Sequence, residues 1–226
     1  MNLPMEWACS VCGVTEDVTL YDERLRNPGF AIAPINPTCR ECGSSVKRAA
    51  TKTSSGKNRI LLLTGPLGSG KTTIAEHLFT KCGFHAIDHD CLIDLATHLH
   101  RRKVEYNSPE VMQALEGNLE LLASLDRNIV LSLVILPIDL DIYRSMFSKL
   151  GLRHLTVYLC PDYVTVLKRA QTRTCFETVT PEKWVRYFYD ETRSFTEMDK
   201  SDVALVDNSE ISIEETVQII LARFCR

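Results

Sequence analysis

Residues 58–73, Asn58-Arg-Ile-Leu-Leu-Leu-Thr-Gly65-Pro66-Leu67-Gly68-Ser69-Gly70-Lys71-Thr72-Thr73, constrain the fold more than any other stretch. Ile60 to Leu63 is a short continuous apolar run, the pattern of a strand buried on both faces of a parallel sheet. Gly65, Gly68 and Gly70 permit a tight turn and a close backbone approach to a ligand. From Lys71 onward, Ile74, Ala75 and Leu78 recur at helical spacing. Strand, glycine loop and helix together match GxxxxGK[ST] in the context that motif requires. In such a loop, free N–H groups surround polyphosphate oxygens, Lys71 adds a mobile positive charge, and Thr72 offers a hydroxyl to Mg²⁺. Residues 65–73 are therefore expected to hold a nucleoside triphosphate.

The chain has 226 residues, enough for one α/β domain and a small extra module. A net charge of −3 gives no global attraction to nucleic acid or anionic membrane. The apolar runs are too short to span a bilayer, and the first residues lack the basic and apolar regions of a signal peptide. A cytoplasmic setting follows as an expectation. There the nine cysteines should be thiols or metal ligands rather than disulfides.

Four cysteines are organised. Cys9-Ser-Val-Cys12-Gly and Cys39-Arg-Glu-Cys42-Gly are two CxxC pairs, each followed by a glycine that lets backbone N–H groups face sulfur. Two such knuckles supply the tetrahedral four-sulfur set of structural Zn²⁺ and leave no open coordination position for catalysis. Residues 1–48 otherwise hold little to build a core, so the metal would supply much of the folding energy of a zinc ribbon. The ribbon's charges nearly balance: Arg24, Arg26, Arg40, Lys47 and Arg48 oppose Glu6, Glu16, Asp17, Asp22, Glu23 and Glu41. No basic face for nucleic acid emerges, although RNA or a protein partner stays open. Residues 49–57 are small and polar and read as a linker; residues 58–226 form the main domain.

Within that domain, residues 83–87 read as a second strand ending at Asp88-His89-Asp90, with a helix following through Leu99. Ligands of open α/β sheets bind beyond the carboxyl ends of strands, where both aspartates lie. One carboxylate can stand near Mg²⁺ while the other takes the proton of an acceptor hydroxyl; the plain alternative is a helix cap at Asp90. Ser108-Pro109 starts a helix. Residues 128–136 are the strongest strand signal, yet carry no acidic residue for Mg²⁺. Pro137 begins a helical connection, residues 154–159 form a fourth strand, and Pro161 opens a helix bearing Arg169 and Arg173. Four apart, these arginines share one helical face and could meet charge developing on a transferring phosphate, or simply form a solvated basic face. Residues 174–180 suggest a lid tip. The aromatic stripe Trp184, Tyr187, Phe188, Phe195 reads as core. Ala204–Val206 is a fifth strand, and Ser212-Ile-Glu-Glu215 is a capping box opening the final amphipathic helix.

Residues 58–226 resemble the small P-loop kinases, the group of shikimate kinase, gluconate kinase and the nucleoside monophosphate kinases. The resemblance rests on Gly65 to Thr72, on Asp88-x-Asp90, on the arginine-bearing helix before a short lid, and on Asp202-Val-Ala-Leu-Val-Asp-Asn-Ser. It implies five parallel strands with the phosphate-loop strand central, MgATP as phosphoryl donor, and a hydroxyl of a small molecule or nucleotide as acceptor. It also implies Asp88 near Mg²⁺, Asp90 at the acceptor, and either Arg169 or Arg173 as the lid arginine. Two features depart from the group. The third strand runs into Leu136-Pro137-Ile138 instead of the glycine-rich loop of shikimate kinase, and a zinc ribbon precedes the domain. A different class of function, an ATP-controlled module that grips nucleic acid or protein through the ribbon, is the alternative.

Overall fold

The computed structural model describes residues 59–90, 92–93, 103, 105–123, 128–172, 180–199 and 203–225, together with three short N-terminal strands. Those strands are β1 (Glu6–Cys9), β2 (Thr15–Asp17) and β3 (Val46–Arg48). They form an antiparallel sheet in the order β2-β1-β3, in which Cys9 is paired with Val46. Cys12, Cys39, Cys42, the linker 49–57, Arg173 and the lid segment 174–179 lie outside the described residues, as does most of the helix expected after Asp90.

The main domain is built on a second sheet. Its elements run β4 (Arg59–Thr64), α1 (Lys71–Cys82), β5 (His85–Asp88), α2 (Pro109–Ala123) and β6 (Ile129–Ser132), then a 3-10 turn (Pro137–Asp139). They continue through α3 (Leu140–Lys149), β7 (Arg153–Leu159), α4 (Tyr163–Gln171), α5 (Glu182–Thr192), a 3-10 segment (Arg193–Glu197), β8 (Val203–Val206) and α6 (Ile213–Phe224). The five strands are all parallel in the order β5-β6-β4-β7-β8, so the strand feeding the glycine loop is central, as expected.

The register explains the burial. Side chains alternate across a strand, and β4 sends Ile60 and Leu62 to one face and Leu61 and Leu63 to the other, all fully buried. On the first face, Ile87, Ile129, Leu131 and Tyr158 meet Val111, Leu115 and Leu119 of α2 and Tyr143 and Phe147 of α3. On the second, Val130, Val157, Leu159 and Val206 meet Ile74 and Leu78 of α1 and Val217, Ile220 and Phe224 of α6. Covering both faces is what allows a strand with no polar alternation to be stable. A smaller cluster of Val166, Ala170 and Val185 joins α4 to α5. Arg59 donates to the Phe224 carbonyl at 2.6 Å, placing a cation at the negative end of α6.

Two expectations need correction. The third strand stops at Ser132 rather than continuing to Leu136, because its neighbour β4 ends at Thr64 and turns into the glycine loop. Beyond that point Leu133 N–H still reaches the Leu63 carbonyl at 3.2 Å, and Ile135 N–H takes the Thr64 hydroxyl at 3.1 Å instead of a ladder carbonyl. The aromatic stripe is not uniformly core. Phe195 is fully buried, but Trp184 and Tyr187 are 49% and 45% exposed. The inward face of α5 is set by Val185, Tyr189 and Thr192, at i, i+4 and i+7, which leaves Trp184 and Tyr187 on the other side. Cys82, Cys160 and Cys225 are free thiols, as expected. Among the described residues no helix is long and apolar enough to cross a membrane.

Candidate functional site

The loop between β4 and α1 has three glycines with positive φ: Gly65 at 150°, Gly68 at 83° and Gly70 at 94°. Two are also dictated by neighbours. A Cβ on Gly65 would lie 2.6 Å from the Leu159 carbonyl at the end of β7, and one on Gly68 would lie 2.5 Å from the Val166 carbonyl of α4. The loop is thus wedged between β7 and α4. Gly70 is the N-cap of α1 and carries no side chain to satisfy the first-turn N–H groups. Those groups and the positive end of the helix dipole face the concavity of the loop, an arrangement suited to phosphate oxygens.

Lys71 is buried, and its Nζ donates to the Gly65 carbonyl at 3.0 Å, the Pro66 carbonyl at 2.9 Å and Ser69 Oγ at 3.5 Å. The ammonium is held over the loop by neutral carbonyls that an anionic phosphate could displace. Thr72, next along α1, points its hydroxyl at Asp88 Oδ2, 3.3 Å away at the carboxyl end of β5. Asp88 Oδ1 accepts from the Asp90 amide at 3.0 Å. Burial first, then the charge of Asp90, push the Asp88 carboxyl upward; the Asp90 amide, the Thr72 hydroxyl and Lys71 oppose this. A half-buried carboxylate beside a hydroxyl and a second carboxylate is a hard-oxygen donor set, the kind that suits Mg²⁺. Asp90 is exposed and two residues further along the chain, placed to address a second ligand.

On the same edge of the sheet, beyond β5 and β6, lies a network of tyrosines and an aspartate. The Tyr106 phenol donates to Asp139 Oδ2. The Tyr143 hydroxyl stands 3.5 Å from His89 Nε2, with the two rings edge to face. His89 is almost wholly buried, and desolvation pushes its pKa down to about 4, so the ring is neutral near pH 7.

Against the glycine loop and the first turn of α1, with Gly70, Lys71 and Thr72 in its lining, opens a cavity of about 860 Å³, within the size range of a small-molecule site. Gly68, Thr73, Arg169, Asn208, Ile211 and Ile213 are among its walls. Arg169 donates to the carbonyls of Asn208 at 2.9 Å and Ser209 at 3.5 Å, which fastens α4 to the segment between β8 and α6. Arg169 therefore sits on the cavity wall beside Gly68, anchored to backbone. Asn208, Ile211 and Ile213 went unnoticed as lining residues in the sequence. Two hints were available there: Asn208 belongs to Asp202-Val-Ala-Leu-Val-Asp-Asn-Ser, and all three follow the last strand, whose carboxyl end borders the crevice in an open α/β sheet.

No family model matches the sequence, and no curated protein matches it. Solved structures do. The chain is similar to a tunicamycin resistance protein of Deinococcus radiodurans, with TM-score 0.59 and 16% identity over 74% of this chain and 95% of that one. It is also similar to a sugar kinase from Janibacter sp. HTCC2649, with TM-score 0.55 and 15% identity over 74% of this chain and 95% of that one. A gluconokinase from Sinorhizobium meliloti 1021 aligns with TM-score 0.52 and 17% identity over 74% of this chain and 92% of that one. At these identities the likeness concerns architecture: the main domain has a P-loop-kinase-like fold.

Proposed function

We propose that the main domain, residues 58–226, is a phosphotransferase that moves the γ-phosphoryl group of MgATP to a hydroxyl of a small molecule or nucleotide. The observation that carries this reading is the convergence of Lys71, Thr72 and Asp88 at one edge of the sheet, with a nucleotide-sized cavity that Lys71 and Thr72 themselves line.

In this reading the backbone N–H groups of residues 65–73 other than Pro66 and the Lys71 ammonium hold the β- and γ-phosphates, and Lys71 exchanges its loop carbonyls for phosphate oxygens. The base and ribose enter the cavity bordered by Arg169, Ile211 and Ile213. Thr72 and Asp88 would hold Mg²⁺, which would supply positive charge against the negative charge of the transferring phosphoryl group. Asp90 accepts the acceptor's proton as the phosphoryl group arrives, and the network of Tyr106, Asp139 and Tyr143 braces that side of the crevice. Arg173 is assigned to the lid, and Arg169 to the nucleotide side. Because catalysis of this kind is positioning plus electrostatics, the rigid floor matters as much as the charged groups. The structural likeness to sugar kinases supports a small acceptor.

Residues 1–48 are proposed to bind one Zn²⁺ through Cys9, Cys12, Cys39 and Cys42 and to serve as a docking or stability module. Among the described residues, which exclude the side chains of these cysteines, no group of three or more His, Cys, Asp or Glu could hold a metal.

The test is incubation of the zinc-loaded chain with γ-labelled ATP and Mg²⁺ against a pooled metabolite and short-RNA library, following the label. Label on a small molecule is the expected result. Label on RNA ends would give the ribbon a substrate-gripping role, and release only as phosphate, or none, would favour the ATP-controlled binding module.

A further inference from the structure

Asn208 stands just past β8, 96% buried, and reaches 139 residues back along the chain to donate its Nδ2 to the Ser69 carbonyl at 2.9 Å. Its Nδ2 also lies 3.6 Å from where a Cβ on Gly70 would be, so the amide packs directly beneath the N-cap of α1. Its own carbonyl is held by Arg169 at 2.9 Å. Among the described residues its Oδ1 is buried with no hydrogen-bond partner. A buried acceptor left unsatisfied is unfavourable, so this side chain is not there to satisfy itself. The group it does satisfy belongs to the glycine loop. Ser69 N–H already closes a turn on the Pro66 carbonyl at 3.2 Å, and Ser69 Oγ lies 3.5 Å from Lys71 Nζ. With the Ser69 carbonyl pinned from behind, the peptide leading into Gly70 is held with its oxygen away from the concavity and the following N–H groups toward it.

We propose that Asn208 is a positioning residue for the phosphate loop, clamping the Ser69 carbonyl from outside and tying the loop through Arg169 to α4. The inference rests on the nucleotide reading above and adds a specific device to it: the last strand, not only the glycine loop, decides whether phosphate finds its donors. Without the clamp, the 69–70 peptide can rotate, and a carbonyl in place of an amide would repel the triphosphate.

The experiment measures dissociation constants of ATP, inorganic tripolyphosphate and adenosine for the wild-type chain, Asn208→Ala and Asn208→Asp, with the thermal midpoint of each ligand-free chain. Asn208→Ala should weaken ATP and tripolyphosphate alike by about tenfold, the equivalent of one buried hydrogen bond of about 1.4 kcal/mol, and weaken adenosine clearly less than tripolyphosphate. Asn208→Asp supplies the discriminating readout. Its carboxylate matches the amide in shape but, ionised, cannot donate to Ser69. Its tripolyphosphate deficit should therefore at least equal that of Asn208→Ala, whereas a role in filling space alone would leave this near-isosteric variant close to wild type. Unchanged tripolyphosphate affinity in either variant would overturn the proposal, as would equal losses for adenosine and tripolyphosphate. A wild-type chain that binds neither ATP nor tripolyphosphate would instead sink the nucleotide reading itself, and this inference with it.

Discussion

Replacing Gly68 by alanine tests the claim that the glycine loop is shaped by its protein neighbours. The residue has φ of +83°, which costs a non-glycine residue about 1–2 kcal/mol. The new Cβ would also lie 2.5 Å from the Val166 carbonyl, 3.1 Å from the Ala170 nitrogen and 3.2 Å from the Ala170 Cβ. All three atoms belong to α4, and two are backbone, so no side chain can swing away; α4 or the loop must shift. Overpacking of that kind costs about 1–3 kcal/mol, giving a total of roughly 2–5 kcal/mol. Gly70→Ala is the internal control. Its φ of +94° carries the same backbone cost, but its Cβ meets only Asn208 Nδ2 at 3.6 Å, an ordinary contact, so the loss should stay near 1–2 kcal/mol, about the backbone term alone. Urea unfolding of the ligand-free chains, followed by circular dichroism, gives both values from the shift in midpoint at constant slope. Gly68→Ala should unfold at clearly lower urea than Gly70→Ala. If the two lie within about 0.5 kcal/mol of each other, the difference is too small for the α4 contact to constrain the loop, and the reasoning is refuted.

Other outcomes follow from the same geometry. Asp90→Asn should keep ATP affinity while phosphoryl transfer falls by roughly 10²-fold or more, and unchanged turnover would remove Asp90 from the mechanism. His89 is held down to about 4 by burial, whereas the unfolded chain takes up that proton near 6.5. The unfolded state therefore binds more protons between those values, and stability should drop by about 3 kcal/mol from this residue as the pH is lowered from 6.5 to 4, and rise again as the pH is raised. Asp88, whose pKa is raised on folding, acts in the opposite sense near the acid end. His89→Gln should flatten the wild-type dependence between pH 6.5 and 4; parallel stability curves for the two chains would contradict the assignment. For the N-terminal module, the intact chain should contain one zinc by elemental analysis, lost in Cys39→Ser, and a chelator should alter the far-ultraviolet spectrum. A chain without zinc that keeps its spectrum in chelator would exclude the ribbon.

Much of the architecture was legible before any coordinates. Ile60 to Leu63 had to be a strand buried on both faces, because four consecutive apolar residues leave no side to turn toward water. Its continuation into Gly65–Thr72 placed Lys71 and Thr72 at a helix start, and the carboxyl-end rule put Asp88 on the same edge. Local chemistry carries such information: glycine spacing, helix period and capping residues act within a few positions. The capping box at Ser212 and Glu215 is present with both hydrogen bonds for that reason.

Whatever depends on a neighbour distant in sequence was settled only by folding. Residues 133–136 are as apolar as the strand before them, yet they leave the ladder because β4 has already turned away. Trp184 and Tyr187 share the aromatic stripe with Phe195, but the contact of α5 with α4 runs through Val185. Gly65 and Gly68 announce a flexible turn; that β7 and α4 crowd them is invisible until the elements pack. Asn208 is the extreme case. The sequence showed it only as one residue of Asp202-Val-Ala-Leu-Val-Asp-Asn-Ser, and its significance lies in a carbonyl 139 residues away, brought within 2.9 Å by the parallel order of five strands. Periodicity and motif determine which elements form, whereas packing determines which of their side chains meet.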